Sequence, residues 1–302
     1  MPIGIAKALN IEKNEQSVVF ILILQSVFIG FFAGSFDVGA QSLFLSVYEA
    51  SLIPKAFVLS GIVGILITSV YTLLQSRMKF SNFVLLNFIF VAVVTALLRL
   101  GFEFTNDKRL VFAVFVMMGP LTIISFLGFW GTVGRMFTLR QGKRLFGLID
   151  TGQIFGIIVV SFAIPLLISF NFKVLDTLLL CTVSIILALL LQIFITSRFS
   201  FHSFEKKAGN ETKKEGNFFD LFKSNYTLLM ALFIVFSVAA AFFVHFSFLT
   251  VLTENYPDPN ALASFLGAFM GTLTIFTILI KTFVYGKMMK TYGLKLALLI
   301  SP

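Results

Sequence analysis

The sequence predicts an all-α fold, a polytopic transmembrane helical bundle, and three observations carry that prediction. Eight apolar stretches, nearly free of charge, follow one another through the 302 residues. About 18 or more apolar residues suffice to cross the hydrocarbon core as a helix, and each stretch reaches that length. Charged residues make up only 12% of the chain, about half the share of a soluble domain, and they gather between the stretches. Phe supplies 40 of the aromatic rings, against six Tyr and one Trp, so the rings are apolar filling more than interfacial anchors.

Charges mark the edges of each predicted span. The first runs from Ser17 to Tyr48, interrupted only by Asp37. It is far longer than the apolar core of a signal peptide, so Lys7 and Lys13 precede an anchor that stays in place. The second span is Ala56–Ser76, the third Phe80–Leu98 and the fourth Leu110–Gly134. The fifth runs Leu145–Phe172, with Asp150 in its first turns, and the sixth Thr177–Ser197. A polar segment, Arg198–Lys223, separates these from the seventh span, Ser224–Thr253, and the eighth, Pro259–Ile280. A ninth starts at Leu296 and stops at Pro302, so the expected bundle is truncated after eight full spans. Longer stretches tilt or end among the headgroups.

Lys and Arg in alternate loops set the expected orientation. One set of loops, beginning with the N-terminus, holds 17 of them; the other set holds five. The N-terminus and the linker are therefore expected in the cytoplasm, in a cell (plasma or inner) membrane. The sequons at Asn210 and Asn225 then carry no sugar. The net charge of +9 follows from this bias, and no nucleic-acid partner is expected. The lone Cys181 permits no intramolecular disulfide.

A weak repeat crosses the polar segment. Phe44-Leu-Ser-Val47 matches Phe248-Leu-Thr-Val251 at an offset of 204 residues, and glycines follow in both next spans. Two parallel halves joined by a linker are a transporter arrangement; chance similarity of Phe- and Leu-rich helices is the alternative. The expected domains are a six-helix bundle over 1–197, a cytoplasmic linker over 198–223 and the start of a second bundle over 224–302.

The run Gly286-Lys-Met-Met-Lys290-Thr-Tyr-Gly293-Leu-Lys295 resembles a cytoplasmic loop of the major facilitator superfamily, with Met288 and Met289 where that loop carries an acid. The run Arg140-Gln-Gly-Lys143-Arg144-Leu-Phe-Gly147-Leu-Ile-Asp150-Thr-Gly152 is similar to the fourth-to-fifth region of ATP/ADP-translocase-like proteins. The resemblance implies a major-facilitator-like bundle of twelve helices, of which these would be the first eight. It implies secondary active transport by alternating access, with a small polar or anionic solute, possibly a nucleotide, as substrate. The fragment by itself is then not expected to transport.

Ser26, Gly30, Gly34, Asp37 and Gln41 recur at spacings that place them on one helical face. That face cannot prefer lipid while it carries Asp37. Asp37 and Gln41 could bind a cation, a proton or a substrate donor; or the glycines could admit a neighbouring helix while Asp37 bonds it. Free imidazole titrates near neutral pH, so His245, in the seventh span, is a proton-coupling candidate, or else a packing residue. Arg140, Lys143 and Arg144, with Asp150 beyond them, could bind an anionic solute or form a cytoplasmic gate. Binding of lipid phosphates is the other account. Lys281 is expected to snorkel.

No catalytic constellation is expected. His202 and His245 are the only histidines, no Gly-Lys pair precedes Ser or Thr, and no Gly-x-Ser-x-Gly elbow occurs. No metal or cofactor is expected; the partners are the bilayer and a small-molecule solute. A membrane anchor or sensor presenting a soluble domain encoded downstream remains the alternative function.

Overall fold

The computed structural model describes residues 12, 15–105, 107–199 and 225–280. Within them lie eight long helices and no strand: α1 Gln16–Val47, α2 Ile53–Arg77, α3 Phe80–Phe104, α4 Lys108–Met136, α5 Leu139–Ser169, α6 Thr177–Arg198, α7 Asn225–Asn255 and α8 Pro259–Leu279. Short 3-10 turns, Ala50–Leu52 and Val174–Asp176, lead into α2 and α6. All eight helices are long and apolar enough to cross a membrane. A helix satisfies its backbone internally, which hydrocarbon requires.

Seven helix starts lie within three residues of the position at which the charges placed them. The exception is α5, which begins six residues early and takes in Arg140, Lys143 and Arg144. Thr138 accounts for it. Its hydroxyl accepts from the Gln141 N–H while the Gln141 side chain accepts from the Thr138 N–H, a capping box that starts the helix ahead of its apolar run. Lys281, His202, the Gly286–Lys295 loop, the ninth span, Asn210 and the linker beyond Phe199 lie outside the described residues.

The chain divides into two compact units, Met1–His202 with Tyr256–Thr277, and Ser203–Asn255 with Ile278–Pro302. In the first, α1 is the central helix and packs on α5, α6 and α4. The α1–α5 seam is made of glycine. A Cβ on Gly30 would overlap the carbonyl oxygen of Gln153, and one on Gly156 would overlap that of Val27. Gly34 faces Val160 and Ile157, and Gly152 faces Ser26 and Ile23. Ser26 Oγ spans the same seam, 2.9 Å from the Ile149 carbonyl oxygen. Small residues of this kind let two backbones approach, and dispersion then holds them where lipid offers no hydrophobic drive.

On its other side α1 meets α6. Ser35 Oγ lies 3.1 Å from Cys181 Sγ, and Gly39 sits against Thr177. Phe44 packs its ring 4.3 Å from that of Phe115 on α4. Elsewhere Asn87 of α3 donates to the Ile124 carbonyl of α4 at 3.0 Å. On α8, Gly267 faces the Ser161 carbonyl and Pro165 of α5, and Gly271 faces the Phe162 ring. By contrast α2 buries only Ile53, Ala56 and Tyr71, and exposes Val58, Ile65, Leu66 and Leu73. In the second unit, α7 likewise exposes Leu229, Val235, Phe236, Phe243 and Val244. Apolar surface on this scale suits lipid as the solvent and would be a liability in water.

The seam sets a mutational contrast. Leu in place of Gly30 or Gly156 should cost about 1–3 kcal/mol or more, as overpacking does, and lower the melting temperature in detergent. Ala in place of Gly61, around which a Cβ meets nothing within 4 Å, should leave it unchanged or raise it slightly. Equal melting of all three variants would show that the seam is not close-packed.

Candidate functional site

The polar face of α1 splits into two parts. Its lower members, Ser26, Gly30 and Gly34, are consumed by the contact with α5. The upper two form a pair: Gln41 Nε2 donates to Asp37 Oδ1 at 2.7 Å. The spacing of four residues stacks them on one side of the helix. Asp37 is half-buried and makes a further interaction. Gln41 is 1% exposed, and its Oε1 has no hydrogen-bond partner among the described residues. A carboxylate and a buried amide oxygen side by side offer acceptors to a donor or a cation. A buried polar atom without a partner costs about 1–3 kcal/mol, and Gln41 Oε1 shares that state with Gln25 Oε1 and Gln153 Oε1.

His245 stands on α7, in the other unit, half-buried and engaged with a neighbour. Its imidazole is on a helix that is otherwise apolar over most of its length.

At the basic end of the first unit the motif residues separate by role. Arg144 Nη2 donates to both carboxylate oxygens of Glu15, at 2.8 and 2.7 Å, and Gln141 Nε2 donates to the same group at 2.8 Å. Arg144 also reaches Glu12 at 3.3 Å. Glu15 is 6% exposed and immediately precedes α1, so these contacts clasp the start of α1 to the start of α5. Arg140 and Lys143 are exposed, without an ion-pair partner among the described residues. Asp150 is half-buried and makes an interaction of its own; it lies seven residues past Lys143, on the same side of α5.

Several polar groups escaped the sequence reading. Glu15 is one, since its partners are up to 129 residues away. A second set is the amide network at the α1–α6 contact. Gln25 Nε2 donates to Gln192 Oε1 at 2.9 Å and to the Ala188 carbonyl at 3.2 Å. Thr132 of α4 approaches the same Gln192 oxygen at 3.4 Å. Gln25 and Gln192 are wholly buried. The signal was available, a glutamine inside each of two apolar runs, but it lay off the face that Asp37 defines.

Residues 108–302 match the family model described as TLC ATP/ADP transporter. The chain belongs to that family. It is a membrane nucleotide transporter. The matched region opens with the first residue of α4 and contains the whole Arg140–Gly152 motif. It supports the narrower of the two resemblances; the TLC family is distinct from the major facilitator superfamily, and the broader one is not carried by it. No curated protein and no solved structure matches the chain.

The clasp is testable as a coupling. Glu15→Gln and Arg144→Gln should each destabilise the protein, and the double variant should lose less than the two together. A coupling of about 0.5–3 kcal/mol is expected for groups in one network. Strictly additive melting shifts would mean that the two side chains do not depend on one another.

Proposed function

We propose that the chain carries an adenine nucleotide across a plasma or inner membrane by alternating access, its N-terminus in the cytoplasm. The observation that carries the reading is the family match over 108–302, which takes in the basic motif at the start of α5. Alternating access is the mechanism that two parallel repeats in one chain support. The first half is 1–197, 198–223 the cytoplasmic linker, and 224–302 opens the second half.

The residues divide the work by charge. Arg140 and Lys143 project from the basic end of the first unit and draw the phosphates toward the mouth. Arg144 holds α1 to α5 there, and Asp150 sits two turns beyond as a gating counter-charge. Asp37 and Gln41 hold a donor of the solute, or a coupled proton. His245, an imidazole that can take up or release a proton, is the second group for proton coupling. The major-facilitator form of the whole bundle is part of this proposal and rests on the repeat and the Gly286–Lys295 run.

Transport is tested with the complete protein in liposomes. Labelled ATP should enter vesicles loaded with unlabelled ADP faster than empty ones; no uptake by folded protein would defeat the nucleotide reading. Asp37→Asn should keep its helical signal and elution volume yet slow uptake. A lost interaction to a charged group, worth ~1.5–3 kcal/mol, corresponds to about tenfold or more in rate. Unchanged uptake would remove Asp37 from the site.

Orientation has its own check. Cys181 is fully buried, so a cysteine placed at Lys143 or Lys108 is the accessible thiol. A membrane-impermeant maleimide added to intact cells should label Lys108→Cys and not Lys143→Cys. The reverse pattern would invert the topology.

A further inference from the structure

Where α1 begins and α6 ends, a cleft of about 570 Å³ opens between them, lined by Gln16, Ser17, Phe20, Ile21, Phe194, Arg198 and Phe199. Its composition changes along its length. Toward the middle of the bundle the walls are Phe20, Ile21 and Phe194, and the Phe20 and Phe194 rings are 52% and 43% exposed. Toward the end of the helices they are the polar Gln16 and Ser17 and the cation of Arg198, with Phe199 beside it. One turn beyond Ile21, the Gln25–Gln192 bond ties α1 to α6 above the cleft.

We propose that this cleft binds an anionic phospholipid, its phosphate on Arg198 and the first methylenes of its tail along Phe20, Ile21 and Phe194. Charge and depth argue for that occupant. Arg198 is exposed, has no ion-pair partner among the described residues, and lies 5.9 Å from the Phe194 ring centroid, near enough to a cation–π distance to be steadied by it. The nearest carboxylate in sequence to the polar wall, Glu15, is neutralised by Arg144, so it opposes an anion weakly. The loops at this end carry most of the chain's Lys and Arg, and basic pockets between transmembrane helices take anionic headgroups. A soluble phosphate could use Arg198 but not the aromatic wall. A neutral tail could use the wall but not Arg198. Both together fit an amphiphile.

The cleft lies at the start of α1, several turns before Asp37, and its test does not require transport. The purified protein in detergent is melted while phosphatidylglycerol, phosphatidylcholine or glycerol 3-phosphate is titrated in. Phosphatidylglycerol should raise the melting temperature at lower concentration than phosphatidylcholine, and glycerol 3-phosphate should not raise it. Arg198→Gln should weaken the phosphatidylglycerol response about fivefold, the worth of one basic residue near an anionic surface, and Arg198→Lys should retain most of it. Should Arg198→Gln fail to fold, native mass spectrometry of the wild-type protein with an equimolar mixture of the two lipids decides the matter: preferential retention of phosphatidylglycerol is expected. Equal effects of the two lipids, an undiminished response in Arg198→Gln, or the same shift from glycerol 3-phosphate would each overturn the proposal, the last by assigning the cleft to free phosphate.

Discussion

The close approach of α1 and α5 is the constraint on which the first unit rests. Gly30 and Gly34 on one helix meet Gly152 and Gly156 on the other, and the backbones come near enough for Ser26 to reach the Ile149 carbonyl. In lipid, apolar side chains gain nothing by leaving solvent for one another, so intimacy of contact must supply the attraction. The seam also fixes heights. With Gly34 seated against Val160, Asp37 and Gln41 are carried just past the contact and pair with one another there. With Gly152 seated against Ile23 and Ser26, the start of α5 is brought beside the start of α1. The Glu15–Arg144 contact then becomes possible across 129 residues of sequence.

That geometry explains why the Arg140–Gly152 motif is dense in function. Gln141 both caps α5 and donates to Glu15. Gly142 is buried beneath the Phe146 ring, Arg144 supplies the ionic clasp, and Gly152 supplies the first close contact of the seam. One short run therefore starts a helix, docks it on α1 and sets its depth. Arg140 and Lys143 serve none of these ends and are the motif's exposed cations.

The spans were legible because hydrocarbon demands long apolar helices and tolerates few charges, and charges sit at their ends. The polar face of α1 was legible for the same reason, since Asp37 cannot face lipid. What its small members do was not, because a glycine stripe reads alike whether it lines a cavity or a contact; only the reciprocal Gly152 and Gly156 decide it. The early start of α5 was hidden by a rule that ends spans at charges, although Thr138 and Gln141 carried the capping signal. The Glu15 clasp and the Gln25–Gln192 bond depend on pairing between distant helices, which periodicity does not report.

Charge accounting then bears on how an anion could be handled. A polyanion entering a low-dielectric bundle needs cations not already committed elsewhere, because a buried charge left unpaired is strongly unfavourable. Arg144 is committed to Glu15 and Glu12. Arg99, on α3, is committed to Glu103 at 2.7 Å and faces Asp176 at 3.8 Å. Both are structural cations, and neutralising either removes the positive charge that balances its carboxylates. Arg140 and Lys143 carry no such debt to the fold. A solute's phosphates can therefore be met there without unfolding a contact. Removal of those two charges should be felt in capture of the anion and not in the stability of the bundle, whereas removal of Arg144 should be felt in both.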